Sequence, residues 1–453
     1  MPNIKQQKEL ICALATPAGK AALAIVRLSG KTAANIAIQV TKQELIDRHA
    51  TYTKFYDDQG DVIDQGLVIY FKAPASFTGE DVVEFHCHGN PLVAELLLKT
   101  LCRLGARMAV AGEFSLRAFL NNKIDLAQAE AIADLINSTT EQAVRTATKS
   151  MQGAFSRRVQ SVLAQLIQMR VHIEAHLDFP DEEIDRQQSE QLVAQLSELN
   201  KFLGELLLQA KLGERLQTGA TIAIAGRPNA GKSSLLNVLA QSDVAIVTEI
   251  PGTTRDPLSA DIEIQGIAVR LIDTAGLRDT KDIVEAKGIE RAQQALAEAD
   301  LILWVVDVSD AEVTEQLPDF VDKEKVIYLH NKSDLQPRSN KHSNNNNKNI
   351  FVSAKTQMGI DNLIKHLGQR LLGDNVVEEQ GDTPFLARSR HVIALQKAEK
   401  NIRTAQHHLH SRQELELAAE DLRLAQQNLG EITGEFTADD LLGKIFSEFC
   451  IGK

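Results

Sequence analysis

Short apolar runs alternate with Gly, Pro, Asn and Asp over the first 122 residues of the chain. Ala21–Leu28 and Gly66–Phe71 have the length and the flanking residues that are typical of β-strands. Leu92–Leu104 carries apolar residues at helical spacing, which predicts an amphipathic helix. The pattern therefore predicts a small α/β domain over residues 1–122.

Two patterns in this predicted domain could suggest a ligand. Lys99, Arg103 and Arg107 recur every four residues and form a basic stripe if the helix extends that far, although such a stripe usually marks a solvated helix face. His86 and His88 would share one face of a strand, but no further cluster of ligand residues lies nearby in the sequence. We interpret the stripe as solvent-facing and the histidines as structural or polar.

Helical periodicity dominates the next part of the chain and returns near its end. Leu126–His176 is rich in Ala, Gln, Leu and Glu and almost free of Gly and Pro. A Pro-containing break at 178–181 interrupts the pattern, and Ser189–Leu216 resumes it, with Ser189 as the expected N-cap. The same composition returns from Ala387 to about Leu429.

This recurrence predicts one discontinuous helical-bundle domain into which another domain is inserted. Insertion requires only that the ends of the inserted domain lie close together. The fold class expected is multidomain α/β. We expect these boundaries after the N-terminal domain: 123–216 for the first helical segment, 217–375 for the inserted domain and 376–453 for the second helical segment.

The inserted region opens with a phosphate-binding pattern in its proper context. Gly226–Ser233 fits G-x-x-x-x-G-K-[ST], after a buried apolar run at Thr221–Ala225 and before a helical run at Ser234–Ala240. In a strand–loop–helix setting the loop amides surround a phosphate at the helix N-terminus. Lys232 would then neutralise the β- and γ-phosphates, and the Ser233 hydroxyl would face Mg²⁺.

Four further signals follow in order. They are Gly252–Asp256 (GTTRD), Asp273–Gly276 (DTAG), Asn331–Asp334 (NKSD) and Ser353–Lys355 (SAK). Each is expected at the carboxyl end of a strand, where an α/β sheet places its ligand-binding loops. Five ordered signals in matching context predict a Ras-like P-loop G domain.

The residue types specify the chemistry. Asp273 fits water-mediated Mg²⁺ coordination, and the Gly276 amide can meet the γ-phosphate. Thr254 would complete the Mg²⁺ shell only when the γ-phosphate is present, which makes its loop a switch. Asp334 can accept hydrogen bonds from guanine N1–H and the 2-amino group, which adenine does not offer in that pattern. We therefore predict a GTPase.

The predicted GTP-binding residues cover all five signals and the loop before the second. They are Asn229, Ala230, Gly231, Lys232, Ser233, Ser234, Thr248, Glu249, Ile250, Pro251, Gly252, Thr253, Thr254, Asp273, Thr274, Ala275, Gly276, Asn331, Lys332, Asp334, Ser353, Ala354 and Lys355.

Leu277 stands where Ras-type proteins carry a glutamine that orients the attacking water. A leucine side chain cannot orient water by hydrogen bonding, so another group must do so. The Asn229 carbonyl could hold a monovalent cation against the phosphates, in place of an arginine finger. An asparagine in a tight loop is more often present for its turn preference, so both interpretations stay open.

Composition narrows the setting. The 453-residue chain opens without an apolar signal segment or membrane span, which favours a cytoplasmic protein. Its four cysteines lie far apart, and this argues against a disulfide framework. Because the net charge is −12, a local basic patch or a partner would have to supply attraction for a nucleic acid. Cys450 makes a poor prenylation site, and a mobile Gly-Lys tail predicts an exposed thiol.

Two flanking blocks accompany the GTPase signals: the C-terminal Cys450–Lys453 (CIGK) and Gly112–Asn121 (GEFSLRAFLN). With them, the chain strongly resembles the MnmE (TrmE) family of tRNA-modification GTPases over essentially its whole length. The resemblance implies a homodimer formed through residues 1–122, which would also bind a formyl- or methylene-tetrahydrofolate. With the FAD-dependent partner MnmG, the family adds an aminomethyl or carboxymethylaminomethyl group to C5 of the wobble uridine of certain tRNAs. The G domains pair in a K⁺-dependent way that triggers GTP hydrolysis.

The same resemblance implies roles by position. Mg²⁺ would be held by Ser233 and Thr254, and K⁺ by Asn229, Thr248, Ile250 and Thr253. Glu285 would orient the attacking water, Cys450 would be the essential cysteine, and Arg255 would be needed for activity. Folate would contact Arg27, Glu84 and Lys123, with Lys453 closing that site.

Two other functions share parts of this pattern. A regulatory GTPase that acts as a switch in ribosome or RNA maturation would carry every GTPase signal, but it would give no reason for Cys450 or Gly112–Asn121. A folate-binding module with a vestigial GTPase would require damaged GTPase signals, and none is damaged.

Overall fold

The computed structural model describes residues 9–178, 186–241, 259–274, 284–309, 317–335, 349–372, 385–409, 414–436 and 439–452. The chain divides into two compact units. The first comprises Met1–Ile136, Ser150–Leu203 and Ala394–Lys453, and the second comprises Asn137–Lys149 and Gly204–Ile393. No helix in the described ranges is both long enough and apolar enough to cross a membrane.

The first unit contains a mixed sheet with the strand order β3-β4-β5-β2-β1-β6. Its strands are β1 (Ile11–Leu14), β2 (Leu23–Ser29), β3 (Ala50–Tyr56), β4 (Val62–Phe71), β5 (Val82–His88) and β6 (Arg107–Met108). Its helices are α1 (Ala33–Thr41), α2 (Pro91–Arg103) and α3 (Glu113–Leu120). Alternate side chains of the strands face a core with α1 and α2, where the buried rings of Phe55 and Phe85 meet edge to face at 5.5 Å.

The predicted basic stripe does not form along one helix. Helix α2 ends at Arg103, and Gly105 then takes a left-handed backbone with φ of +108°. Arg107 consequently lies in β6, where its guanidinium binds the carboxylates of Glu9 and Glu113. On α2 itself, Lys99 pairs with Glu95 one turn earlier.

Long helices follow: α4 (Leu126–Asn137), α5 (Glu141–Met151), α6 (Ala154–Asp178) and α7 (Arg186–Thr218). The prediction that Ser189 caps the last of these is wrong, because α7 already begins at Arg186 and Ser189 lies within its first turn. The apolar stripe of α6 is buried as its helical spacing predicts, at Val162, Leu166 and Ile173.

The second unit contains a sheet with the order β12-β11-β10-β7-β9-β8. In chain order its elements are β7 (Ala220–Gly226), α8 (Lys232–Gln241), β8 (Ser259–Ile264), β9 (Ile267–Asp273), α9 (Val284–Glu298), β10 (Leu301–Asp307), β11 (Val326–Asn331), β12 (Asn349–Phe351) and α10 (Ile360–Leu372). All neighbouring strands are parallel except β8 and β9. The parallel strands therefore direct their carboxyl ends to one edge of the sheet.

The chain returns to helix in α11 (Ser389–His408), α12 (Leu415–Thr433) and α13 (Asp439–Ser447). Within the first unit, α12 packs along α6, and Arg170 donates a hydrogen bond to Gln426 there. The predicted fold class is confirmed: a small N-terminal α/β domain, helices from two separated segments and an inserted P-loop domain. The domain boundaries expected at residues 122, 216 and 375 stay a prediction.

Candidate functional site

The P-loop follows β7 directly and ends in the first turn of α8, as its pattern predicts. Asn229 and Gly231 have left-handed backbones, with φ of +63° and +92°. A Cβ atom on Gly231 would lie 2.2 Å from Asn331 Nδ2, so only glycine fits this close approach. The Lys232 side chain is 5% exposed, and its Nζ donates a hydrogen bond to the Arg227 carbonyl at 2.7 Å. The ammonium is thereby held within the curve of the loop.

Two oxygen-bearing side chains meet beside this loop. Ser233 Oγ at the start of α8 lies 2.7 Å from Asp273 Oδ2 at the end of β9, and Asp273 is 2% exposed. Thr274 is fixed next to them, because both its amide and its hydroxyl donate to the Ile224 carbonyl. A hydroxyl and a carboxylate oxygen suit Mg²⁺, so the described residues fit that ion.

The fourth and fifth signals, NKSD and SAK, meet at the ends of β11 and β12. Asn331 Nδ2 donates to the Ala230 carbonyl at 2.8 Å, and the Ala354 amide donates to Asn331 Oδ1 at 3.1 Å. Ser353 Oγ donates to Asp334 Oδ1 at 2.6 Å, which orients the carboxylate. The structure therefore joins the P-loop, the NKSD segment and the SAK segment by hydrogen bonds.

One residue of this edge was not predicted from the sequence, Asp307 at the end of β10. Its carboxylate accepts a hydrogen bond from Lys332 Nζ at 2.5 Å and further hydrogen bonds from Ser309. Desolvation opposes the effect, but these hydrogen bonds and the lysine charge lower the pKa of Asp307. Its position after a buried apolar strand was the available signal.

Several predicted site residues lie outside the described part of the chain. They are Thr248, Glu249, Ile250, Pro251, Gly252, Thr253, Thr254, Arg255, Ala275, Gly276 and Lys453. Glu285 lies in α9, although its side chain is among those that the structure does not describe. Of the remaining predicted residues, Ser234 and Lys355 are exposed near the P-loop and the SAK segment.

A second polar group occupies the sheet of the first unit. Arg27 on β2 and Glu84 on β5 are directly opposite in the strand register, and their side chains form an ion pair at 2.8 Å. The guanidinium also lies 5.8 Å from the ring centre of Phe77 and 5.7 Å from that of Phe114. Two of the predicted folate residues are thus paired, and the Arg27 guanidinium lies close to two aromatic rings.

The chain end reaches the same group. Arg27 Nη1 donates to the Gly452 carbonyl at 3.3 Å, and the Gly112 amide donates to the Cys450 carbonyl at 3.4 Å. Gly452 is buried against Leu14, so the tail is seated at this point and the prediction of a mobile tail is wrong there. The Cys450 side chain is exposed, as expected.

Lys123 takes a different position. Its Nζ donates to the Pro74 carbonyl at 3.0 Å, on the loop that also carries Phe77. The loop at residues 74–77 therefore connects the two residues indirectly, because Lys123 binds the loop at Pro74 and Arg27 contacts it at Phe77.

The first unit also contains a buried charge network around Glu113, which was not predicted from the sequence. Glu113 is 2% exposed and accepts hydrogen bonds from Arg107, Arg117 and the Val110 amide. Burial opposes ionisation of Glu113, but these donors lower the pKa of its carboxyl group below the ordinary value. Arg117 in turn donates to Glu80 at 2.9 Å.

Two models of one protein family match consecutive segments of the chain. Residues 10–123 match the model for the GTP-binding protein TrmE N-terminus, and residues 126–450 match the model for the MnmE helical domain. The second match alone spans more than half of the chain.

Curated relatives match over nearly the whole length. The tRNA modification GTPase MnmE of Pseudomonas paraeruginosa is 48% identical, covering 98% of this chain and 99% of the relative. That of Coxiella burnetii is 47% identical over the same shares. Among solved structures, an Aquifex aeolicus Era variant bound to GDP and AlF4⁻ shares 26% identity over 40% of this chain and 66% of that chain. The TM-score of that match is 0.26.

Proposed function

Because this chain belongs to the MnmE family of tRNA modification GTPases, we propose that it hydrolyses GTP at the P-loop edge of its second unit and uses this hydrolysis to drive tRNA modification. The observation that carries the proposal is the 2.7 Å contact between Ser233 and Asp273, in a chain that matches the family over 98% of its length. The contact joins the phosphate-binding loop to the carboxylate that follows β9.

In the proposed GTP complex, Lys232 neutralises charge on the β- and γ-phosphates from its buried position inside the loop. When Mg²⁺ is bound, it would supply positive charge that offsets the negative charge developing on the phosphate oxygens. Ser233 and Asp273 are placed to hold this ion, and Thr254 is proposed to join them. These groups stabilise charge and need no covalent step.

Guanine recognition is assigned to Asp334. Its carboxylate is oriented by Ser353 Oγ at 2.6 Å, and it can accept hydrogen bonds from guanine N1–H and the 2-amino group. Asn331 fixes the surrounding backbone through its contacts with Ala230 and Ala354. The pocket would therefore reject adenine, which leaves the Asp334 carboxylate without a matching pair of donors.

The cation and switch assignments rest on the family resemblance. We propose that K⁺ is held by Asn229, Thr248, Ile250 and Thr253, and that Glu285 orients the attacking water in place of the side chain that Leu277 lacks. The left-handed backbone of Asn229 turns the P-loop sharply, which is consistent with this role and with a simple turn preference.

The proposed tRNA chemistry also rests on the family resemblance. With an FAD-dependent MnmG partner, a homodimer of this chain would add an aminomethyl or carboxymethylaminomethyl group to C5 of the wobble uridine. A formyl- or methylene-tetrahydrofolate would bind near Arg27, Glu84, Lys123 and Lys453. The neighbouring Arg27 and Glu84 side chains offer a cation and a carboxylate to such a ligand, and the seated tail brings the exposed Cys450 to the same domain.

The test is nucleoside mass spectrometry of bulk tRNA from cells that lack this protein, with GTP hydrolysis assayed on purified protein in K⁺ and Na⁺. We expect wild type to restore C5-substituted uridines and Cys450→Ser to restore none while hydrolysing GTP normally. We also expect hydrolysis to fall at least about tenfold when Na⁺ replaces K⁺.

Each part of this test has an outcome that would contradict one assignment. Full modification by Cys450→Ser removes the assignment of that cysteine, and equal rates in the two salts remove the K⁺ site. If wild type restores no modified uridine, a regulatory GTPase switch becomes the better account.

A further inference from the structure

The hairpin of β8 and β9 connects the nucleotide edge to the opposite end of the sheet. The strands pair from Ser259↔Ile272 to Ile264↔Ile267, and a two-residue turn joins them. Gln265 and Gly266 in the turn have φ of +50° and +85°, the signs that a tight hairpin turn requires. Strand β9 ends at Asp273, the partner of Ser233, about 20 Å along the strand from the turn.

The inner residues of this hairpin favour movement as one body. Ile262, Ile264, Ile267, Val269 and Leu271 are all buried. A slip of one strand by a single residue would turn these side chains to the opposite face, which fixes the register. A displacement at the Asp273 end would therefore shift the two paired strands together toward the turn.

The turn is held by helices on the far side. Thr140 Oγ1, just before α5, donates a buried hydrogen bond to the Gly266 carbonyl at 2.8 Å. A Cβ atom on Gly266 would lie 2.8 Å from the Cβ of Gln142, so the turn and α5 are in close contact. On the other side, Gly368 of α10 leaves space for the Gln265 side chain.

Thr140 serves both partners with one hydroxyl. The group donates to Gly266 and accepts from the Ala143 amide at 3.1 Å, which caps the N-terminus of α5. Thr140 is 3% exposed, so water does not replace either bond readily. A change in the position of the hairpin turn of Gln265 and Gly266 would therefore disturb the hydrogen bond that caps the N-terminus of α5.

We propose that Thr140 is a positioning residue of the GTPase cycle, which couples the nucleotide state at Asp273 to the helical segment Asn137–Lys149 through the β8–β9 hairpin. The inference rests on the proposed function, since it explains how hydrolysis reaches the helical part of the enzyme. Coupling of this kind is reciprocal, so the helical segment also biases the nucleotide site.

The primary test is amide hydrogen exchange of segment Asn137–Lys149 in the full-length protein, with GDP or with a non-hydrolysable GTP analogue. Wild type is expected to show different protection in the two states. Thr140→Val keeps the side-chain volume but loses the donor, so the difference should shrink at least about fivefold. Thr140→Ser keeps the hydroxyl and should respond as wild type does.

A matched control separates coupling from loss of a buried hydroxyl. Thr146 is also buried on α5, but its hydroxyl donates to the Gln142 carbonyl of its own helix. Thr146→Val should therefore keep the nucleotide-dependent difference. A wild-type response in Thr140→Val, or the same loss in Thr146→Val, would overturn the proposal, and so would a wild-type segment that ignores the nucleotide.

A second readout is the yield of C5-modified uridine per GTP hydrolysed. Thr140→Val should lower this yield about fivefold or more while GTP turnover stays within about threefold of wild type. An unchanged yield contradicts the proposal. If wild type modifies no tRNA, the proposed function has failed, yet the hydrogen-exchange experiment still decides whether Thr140 couples the two regions.

Discussion

The two sheets of the molecule carry their polar chemistry in different places. In the second unit, the groups lie just beyond the carboxyl ends of parallel strands, as with Lys232 after β7 and Asp334 after β11. In the first unit they lie on neighbouring strands, as with Arg27 and Glu84, which face each other across β2 and β5. A loop site can be read from a contiguous motif, whereas a site on a sheet face depends on strand register.

The charged groups of the two sheets also differ in their partners. Asp334 is held by a neutral hydroxyl and keeps hydrogen-bonding capacity for a ligand, whereas Glu113 is enclosed by two guanidinium groups and a backbone amide. The first arrangement suits recognition and the second suits rigidity. Substitutions should therefore change specificity at the nucleotide edge and stability in the N-terminal sheet.

The largest expected effect is a change of base specificity with Asp334→Asn. Loss of the charged acceptor should weaken GTP binding about 100-fold, because hydrogen bonds to charged groups are worth about 1.5–3 kcal/mol each. The new amide can donate to the carbonyl that xanthine carries in place of the 2-amino group, so XTP binding should improve. Titration with both nucleotides measures the switch, and equal weakening of the two would contradict guanine readout by this residue.

A smaller effect is expected for the buried network of the N-terminal sheet. Glu113→Gln removes the negative charge between Arg107 and Arg117, and breaking a buried ion pair should lower the free energy of unfolding by about 3 kcal/mol. GTP turnover should persist at temperatures where the variant is folded. Denaturant unfolding checks the loss.

The same network predicts a pH dependence with a definite sign. Because the pKa of Glu113 is lowered on folding, its contribution is present above the ordinary carboxyl range and is lost as pH falls through the folded pKa. Wild type should therefore lose stability more steeply than Glu113→Gln below about pH 4. As a control, Asp261→Asn removes the exposed partner of Arg270 and should cost less than about 0.5 kcal/mol. Parallel acid curves for wild type and Glu113→Gln would remove the argument.

The sequence predicted where several residues of the nucleotide edge lie because each belongs to a short contiguous motif, and their individual roles stay a prediction. The P-loop spacing placed Lys232 and Ser233, and the residues after apolar strands placed Asp273 and Asn331. Asp307 follows the same rule, but a lone aspartate after a strand carries no motif. Thr140 could not be found this way, because its partner Gly266 is 126 residues away.

The N-terminal sheet was less predictable for the same physical reason. Arg27 and Glu84 are 57 residues apart, and only the antiparallel register of β2 and β5 makes them neighbours. These two residues were predicted as folate contacts from the family resemblance, because their spacing in the sequence gives no such signal. Arg107 does not lie on the same helix as Lys99 and Arg103, because α2 ends at Arg103. Helical periodicity could not predict its contact with Glu113.

The most direct test joins the nucleotide edge to the tRNA chemistry in one experiment. Cells lacking this protein receive either wild type or Lys232→Ala, and C5-substituted uridines in bulk tRNA are measured at equal protein levels. We expect full restoration by wild type and essentially none by Lys232→Ala, whose loss of phosphate stabilisation should lower GTP turnover about 100-fold or more. Restoration by Lys232→Ala would contradict the claim that GTP hydrolysis at this site drives the modification.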